Sequence, residues 1–254
     1  MNKQFIIYLA TGSLLELALS AHAQVTFRVG PKVGLNVTTA RFAPNEQLLN
    51  QGIVITNNTS YQTGLEVGVI GSIGFSHFLV QPAILYSQKG YRMHGTQSNV
   101  QSIDGTIPAP YEYTSRLSYL TVPLNFTYAQ HANGQGFQVF AGPYLGLLVG
   151  GDYLFTLPAS TIRTDIGGEI KGGNYPADYN GFNDHNVYSR RLDAGLQAGI
   201  GYQWGLVLAQ ACYSVGLRNL APSNYAIFSF IGNGPDCKNQ GFQVSLGYLF
   251  GPKG

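Results

Sequence analysis

Charge is what this chain has least of. Its 254 residues include 14 Lys and Arg and 12 Asp and Glu, or 10% charged, where a soluble domain carries about 25%. That deficit points to a surface that does not all face water. The net charge of +2 provides no basic stripe, which excludes a nucleic-acid partner. Cysteine is also scarce. Cys212 and Cys237 are too few for a disulfide scaffold and too far apart for a zinc knuckle. Export would permit a bridge between them. They read instead as two unpaired thiols, because pairing the last two strands around their loop sets Cys212 opposite a residue near Ser245. Beyond the first residues no stretch reaches the eighteen or so apolar residues that a membrane helix requires, and no segment keeps a helical period. Any membrane span must therefore be made of strands.

Export is written at the start of the chain. Lys3 forms a thin positive region, Phe5 to Leu19 is mostly apolar, and Ala21-His22-Ala23 is a small-x-small cleavage site. Residues 1–23 are expected to be a signal peptide and 24–254 the mature domain, with Glu16 arguing against a retained helix. No cysteine follows the apolar run, so the signal is not that of a lipoprotein.

The closing stretch sets the pattern for the rest. Phe242, Val244, Leu246, Tyr248 and Phe250 share one face, Gly241, Gln243, Ser245 and Gly247 the other, and only Leu249 breaks the alternation. Its length and aromatic ends suit a tilted membrane-spanning strand. Similar alternation runs over 27–38, 63–69, 77–92, 114–128, 136–150, 188–203 and 206–217, although Leu79 and Leu85 blur one polar face. The intervening connections alternate long and short. Ser76, Asn133-Gly134 and Trp204-Gly205 mark the short ones, while 93–113 and 151–187 have no period. Short periplasmic turns, long extracellular loops and an even strand count are the rules of outer-membrane barrels. The fold expected is all-β, an eight-stranded antiparallel up-and-down transmembrane barrel. A lipocalin-like soluble barrel is disfavoured by the long spans, the aromatic span ends and the loop asymmetry.

Five motifs carry a resemblance. Gly30-Pro31-Lys32-Val33-Gly34-Leu35-Asn36, Gln81-Pro82-Ala83-Ile84-Leu85-Tyr86-Ser87-Gln88-Lys89-Gly90, Tyr119-Leu120-Thr121-Val122-Pro123-Leu124, Gly142-Pro143-Tyr144-Leu145-Gly146 and the closing strand resemble the PorT-like outer-membrane β-barrels of Bacteroidota. The resemblance implies a cell outer-membrane location and insertion by the outer-membrane assembly machinery, and some relatives are tied to protein secretion. The four residues after Phe250 depart from the terminal aromatic that usually serves as the assembly signal.

Chemistry is thin. The mature histidines His77, His94, His131 and His185 are scattered over turns and loops, and an enzyme needs nucleophile, base and orienter together. The chain is therefore read as not an enzyme, with no cofactor. Asp178 to His185 offers oxygen ligands, yet its glycine comes too early for a calcium loop and the closing glutamate is missing, so no metal is expected. Strand glycines such as Gly199 and Gly201 have no following helix to make a phosphate cradle. The polar face is expected to carry a lumen network of Arg28, Lys32, Glu66, Lys89, Arg116, Arg191 and Asp193, centred on Glu66 with Lys32 on the next strand. Tyr153, Tyr175, Tyr179 and Phe182 are candidate contacts in the longest loop. Two functions follow: a structural or surface-interaction barrel meeting lipid, lipopolysaccharide and an envelope or secreted protein, or a narrow small-solute channel with a basic lumen.

Overall fold

A computed structural model describes residues 25–42, 53–99, 109–158, 163–176, 185–222 and 236–251. The expected signal peptide, Tyr179 and Phe182 lie outside the described residues. Ten strands are present among those described: β1 (Thr26–Phe42), β2 (Ile53–Phe75), β3 (Phe78–Asn99), β4 (Ala109–Ala129), β5 (Gly136–Pro158), β6 (Arg163–Gly172), β7 (Val187–Ser189), β8 (Leu192–Trp204), β9 (Val207–Gly216) and β10 (Cys237–Tyr248). Eight of them close a ring in the order β1, β2, β3, β4, β5, β8, β9, β10, with β10 back on β1. Each neighbouring pair in the ring is antiparallel.

The ring has more wall than the sequence pattern suggested. β2 starts at Ile53 and not near Ser60, and β3 and β4 extend through most of the stretch 93–113. The connection 151–187 is likewise not a plain loop. β5 runs on to Pro158, β6 pairs back on it, and the short β7 adds in parallel to β6.

Alternation sorts the side chains as the closing strand indicated. Val244 and Leu246 are 60% and 55% exposed, whereas the alternating Ser245 and Gln243 are 5% and 8% exposed. The apolar face of the wall is thus outside, which is the reverse of a soluble barrel. The apolar breaks in the polar face also find a place. Leu85 and Leu249 turn inward and pack with Ile70, Ala83 and Leu208 as an apolar layer across the lumen.

Proline inside a strand lacks the N–H that a ladder needs, and four prolines leave that mark here. The β2–β3 pairing lapses between Ile70/Ala83 and Ile73/Val80, where Pro82 lies. The β3–β4 pairing lapses where Pro123 lies and the β4–β5 pairing where Pro143 lies. On the seam between β1 and β10, regular pairing stops at Lys32/Gly247, beside Pro31, and resumes as one bridge at Val29/Phe250. The residue before two of these prolines is glycine for a steric reason. A Cβ on Gly30 would collide with the carbonyl of Tyr248, and one on Gly142 with the carbonyl of Leu124. The Gly-Pro pairs therefore let an opposing carbonyl press against bare backbone where its donor is missing.

Candidate functional site in the barrel lumen and mouth

The lumen is filled in layers by side chains from opposite walls. Near the short turns, Gln210 donates to Gln81 at 3.0 Å across the barrel, Thr127 also donates to Gln81, and Gln138 donates to the Gly134 carbonyl at 2.9 Å. Arg28 is buried at this end and donates to the Asn133 carbonyl at 3.3 Å. Towards the long connections come two ion pairs.

The first joins neighbouring strands. Lys32 Nζ lies 3.5 Å from Glu66 Oε1, both side chains buried, but that oxygen accepts no hydrogen bond. The contact is a Coulombic one at the long end of the range. The second pair crosses the lumen from β3 to β8 and is better built. Lys89 Nζ is 3.0 Å from Asp193 Oδ2 with both side chains almost fully enclosed. Asn239 donates to the same oxygen at 3.1 Å, and the Tyr144 hydroxyl lies 3.4 Å from Oδ1. The ammonium also sits 4.4 Å from the Tyr144 ring centroid and 5.4 Å from that of Tyr119. Cation–π contact and three polar partners make Asp193, not Glu66, the centre of the network.

Two expected members are elsewhere. Arg116 is exposed on the outer face of β4, paired at 3.8 Å with Asp152. Parity explains it, since Arg116 shares its face with Leu120 and Val122. Arg191 precedes β8 at a bend, and its exposed side chain donates to the Gly172 carbonyl at 2.9 Å. The missed partners, Tyr119 and Tyr144, had a signal in the sequence: each is a large aromatic flanked on its own face by small or polar residues, Thr121 beside Tyr119 and Gly142 and Gly146 beside Tyr144.

Above the ion pairs the mouth turns aromatic. Tyr91, Met93, Tyr111 and Tyr113 form one buried cluster with Ala40, against which Phe42, Tyr153 and Cys237 pack. Burial pushes the Tyr111 phenol and the Cys237 thiol each up to about 12, and raises Tyr91 and Tyr113 as well, with neighbouring phenols adding to the effect. The cluster therefore stays uncharged. Of the loop contacts expected, Tyr153 belongs to β5 and donates to the His185 carbonyl at 2.7 Å, while Tyr175 is buried with its ring tilted against that of Tyr188, centroids 4.9 Å apart. Neither is a free anchor.

The model of the family described as outer membrane protein beta-barrel domain matches residues 22–221. The chain belongs to this family. Over the crossing segments this outer-membrane barrel turns an exposed apolar belt outwards and polar residues inwards. Among solved structures it is similar to Neisserial surface protein A, at 9% identity and a TM-score of 0.37, covering 89% of this chain and 99% of that one. It is also similar to the outer membrane protease OmpT of Escherichia coli, at 10% identity and a TM-score of 0.42 (89% and 97% covered). The outer membrane protein OprG of Pseudomonas aeruginosa matches at 12% identity and a TM-score of 0.26 (89% and 95% covered). No curated protein matches the chain.

In this outer-membrane barrel lumenal groups partner one another across the interior: Glu66 and Asp193 face lysines, and Gln81 with Gln210 and Gln197 with Asn125 are amide pairs. The thiols are separate: Cys212 donates to Gln243 at 3.3 Å and forms no bridge with Cys237. Among the described residues no three His, Cys, Asp or Glu side chains stand together as metal ligands.

Proposed function

We propose that this protein is a closed outer-membrane barrel whose role is structural or surface-interactive, exercised through the end that carries the long connections. The observation that carries the reading is the Lys89–Asp193 pair spanning the lumen, backed by Asn239, Tyr144 and the apolar layer of Ile70, Leu85, Leu208 and Leu249. An eight-stranded interior is only just wide enough for side chains, and here they meet in the middle. The motifs shared with PorT-like barrels extend the reading to a role in protein secretion or envelope organisation, with lipopolysaccharide and the assembly machinery as companions and an envelope or secreted protein as the partner. Crosslinking from the long connections in intact cells would identify that partner.

Orientation is tested with an epitope tag after Gly173, which stands open beside β6 with nothing near its Cα on the side-chain direction. The tag is expected to be detected on intact cells; detection only after permeabilisation would reverse the barrel. The rival reading, a narrow channel with a basic lumen, draws on one observation: three buried cations, Arg28, Lys32 and Lys89, face two buried carboxylates, Glu66 and Asp193. In a planar bilayer the closed barrel is expected to give no steady current. Steady anion-selective current would establish the channel.

A further inference from the structure

A cavity of about 70 Å³ sits in the mouth, half open towards the long connections. Tyr91, Tyr113 and Leu117 form its wall, and Ile170, Val187 and Leu220 form a strap across it. The strap is fastened to the barrel by backbone hydrogen bonds, from Arg190 to the Leu220 carbonyl at 2.9 Å and from Leu220 to the Cys237 carbonyl at 2.8 Å. The cavity is therefore bounded by paired backbone on both sides.

The polar groups at its edge do not call for water. Ser189 donates to the Leu220 carbonyl at 3.2 Å, and the Tyr91 hydroxyl is engaged with those of Tyr113 and Ser115. Burial keeps these phenols and the neighbouring Cys237 thiol neutral. A water needs two to four polar partners to be held, and the inner end of this pocket offers few, so water there is weakly held and easily displaced. Lining atoms that face such water lack dispersion contacts that an apolar guest can restore. We infer that the mouth cavity is a binding site for the terminal alkyl group of a small amphiphile, which enters from the open side while its polar end stays outside. Size sets the class: the volume is about half of the roughly 150 Å³ that accepts benzene, so a chain end fits and an aromatic ring does not. The inference does not depend on whether the lumen below conducts.

Xenon is the probe for the test, applied under pressure to crystals of the full mature barrel. A xenon peak is expected between Leu117 and Ile170, lost when the crystals are first equilibrated with 1-pentanol. Two variants fill the space from opposite sides, Ser115→Leu from the wall and Ile170→Phe from the strap, and the one that retains heat-modifiable folding is carried forward. Loss of the peak in that variant supports the site. No xenon in the parent, xenon unmoved by pentanol, or xenon retained in the filled variant would each overturn it.

Discussion

The wall of this barrel has a tall half and a short half. β2 to β5 run for 21 to 23 residues, whereas β8 to β10 run for 10 to 13. A tilted strand crosses a membrane in about 9–11 residues, so the short half only crosses and the tall half projects well beyond. The projecting part reverses the rule of the crossing part. Along β4, Leu120, Val122, Leu124 and Phe126 face out and Thr121, Asn125 and Thr127 face in. Further along the same strand, Arg116 is exposed while Tyr111, Tyr113 and Leu117 are buried. On β4 the alternation continues and its polarity inverts, whereas β5 slips register by one residue between Leu148 and Gly150 and keeps Leu154 exposed beyond it. Where it inverts, the surroundings outside the wall change from hydrocarbon to water, and the inner face has to supply its own apolar core. The short half ends before any inversion.

What ties the halves together is expected to give the largest effect. Lys89 belongs to the tall half and Asp193 to the short one, and breaking a buried pair by removing one partner costs about 3–5 kcal/mol, less whatever water enters the lumen. Asp193→Ala should therefore lower the unfolding temperature in detergent more than Glu66→Ala, whose carboxylate keeps only the long contact to Lys32. The double change Lys89→Met with Asp193→Leu should recover much of the loss. Equal effects from Asp193→Ala and Glu66→Ala would remove Asp193 from the centre of the network.

The inversion itself can be probed with one substitution on each side of it. Val244→Arg places a charge at the middle of the outer belt on the short half and should cost about 2–4 kcal/mol. Thr114→Arg lies on the outer face of the tall half past the inversion, and should stay within about 0.5 kcal/mol of the parent. Urea unfolding of the refolded barrel in lipid vesicles reads both. A comparable penalty at both sites would mean that the membrane reaches the tall extension.

This contrast also explains which features could be read from the sequence. The crossing segments are legible because lipid outside and polar filling inside produce an uninterrupted alternation, and the long spans, aromatic span ends and loop asymmetry tell which face is outside. The extension is not, because over 93–113 the outward-apolar pattern that marks the crossing segments is missing, Met93, Tyr111 and Tyr113 facing in. The same inversion hides the place of Arg116, whose charge points to the lumen but whose parity with Leu120 puts it outside. β6 and β7 were hidden for a different reason: Arg163 to Gly172 holds three glycines and four charges and few residues of high strand propensity. Its pairing comes from β5, a neighbour that no local pattern announces. Within the site, the charged residues were legible as residues. Which acid held the most partners depended on register across the lumen, and that is a property of the closed ring.

A smaller effect separates glycines that face a neighbouring chain from those that do not. Gly142 is pressed by the Leu124 carbonyl, whereas a Cβ on Gly150, eight residues further along β5, would meet nothing. Gly142→Ala should destabilise by about 1–3 kcal/mol, in the range of overpacked cores, and slow the appearance of the heat-modifiable form. Gly150→Ala should be neutral or slightly stabilising. If the two behave alike, the carbonyl of Leu124 has room to move and the Gly-Pro pair is not a steric device.

The smallest effect concerns the proline that follows. Pro143 faces lipid on β5, keeps its pairing with Leu196 of β8, and leaves the β4–β5 pairing open between Pro123/Tyr144 and Phe126/Ala141. Pro143→Ala returns an N–H to the backbone at that gap. A hydrogen bond restored there would contribute about 0.5–1.5 kcal/mol. Two terms oppose it: the variant chain has more freedom to lose on folding, and the Leu124 carbonyl already leans towards Gly142 and away from the restored donor. The net change should therefore fall within about 1 kcal/mol of zero by these same terms. Hydrogen exchange is the sensitive readout, because it reports local opening even when global stability is unmoved. Amides of Leu124 and Asn125 should exchange more slowly in Pro143→Ala than in the parent, while those of β9, which has no proline, should not change. Unchanged exchange at Leu124 and Asn125 would show that the gap is set by the strand geometry of the tall half and not by the missing donor.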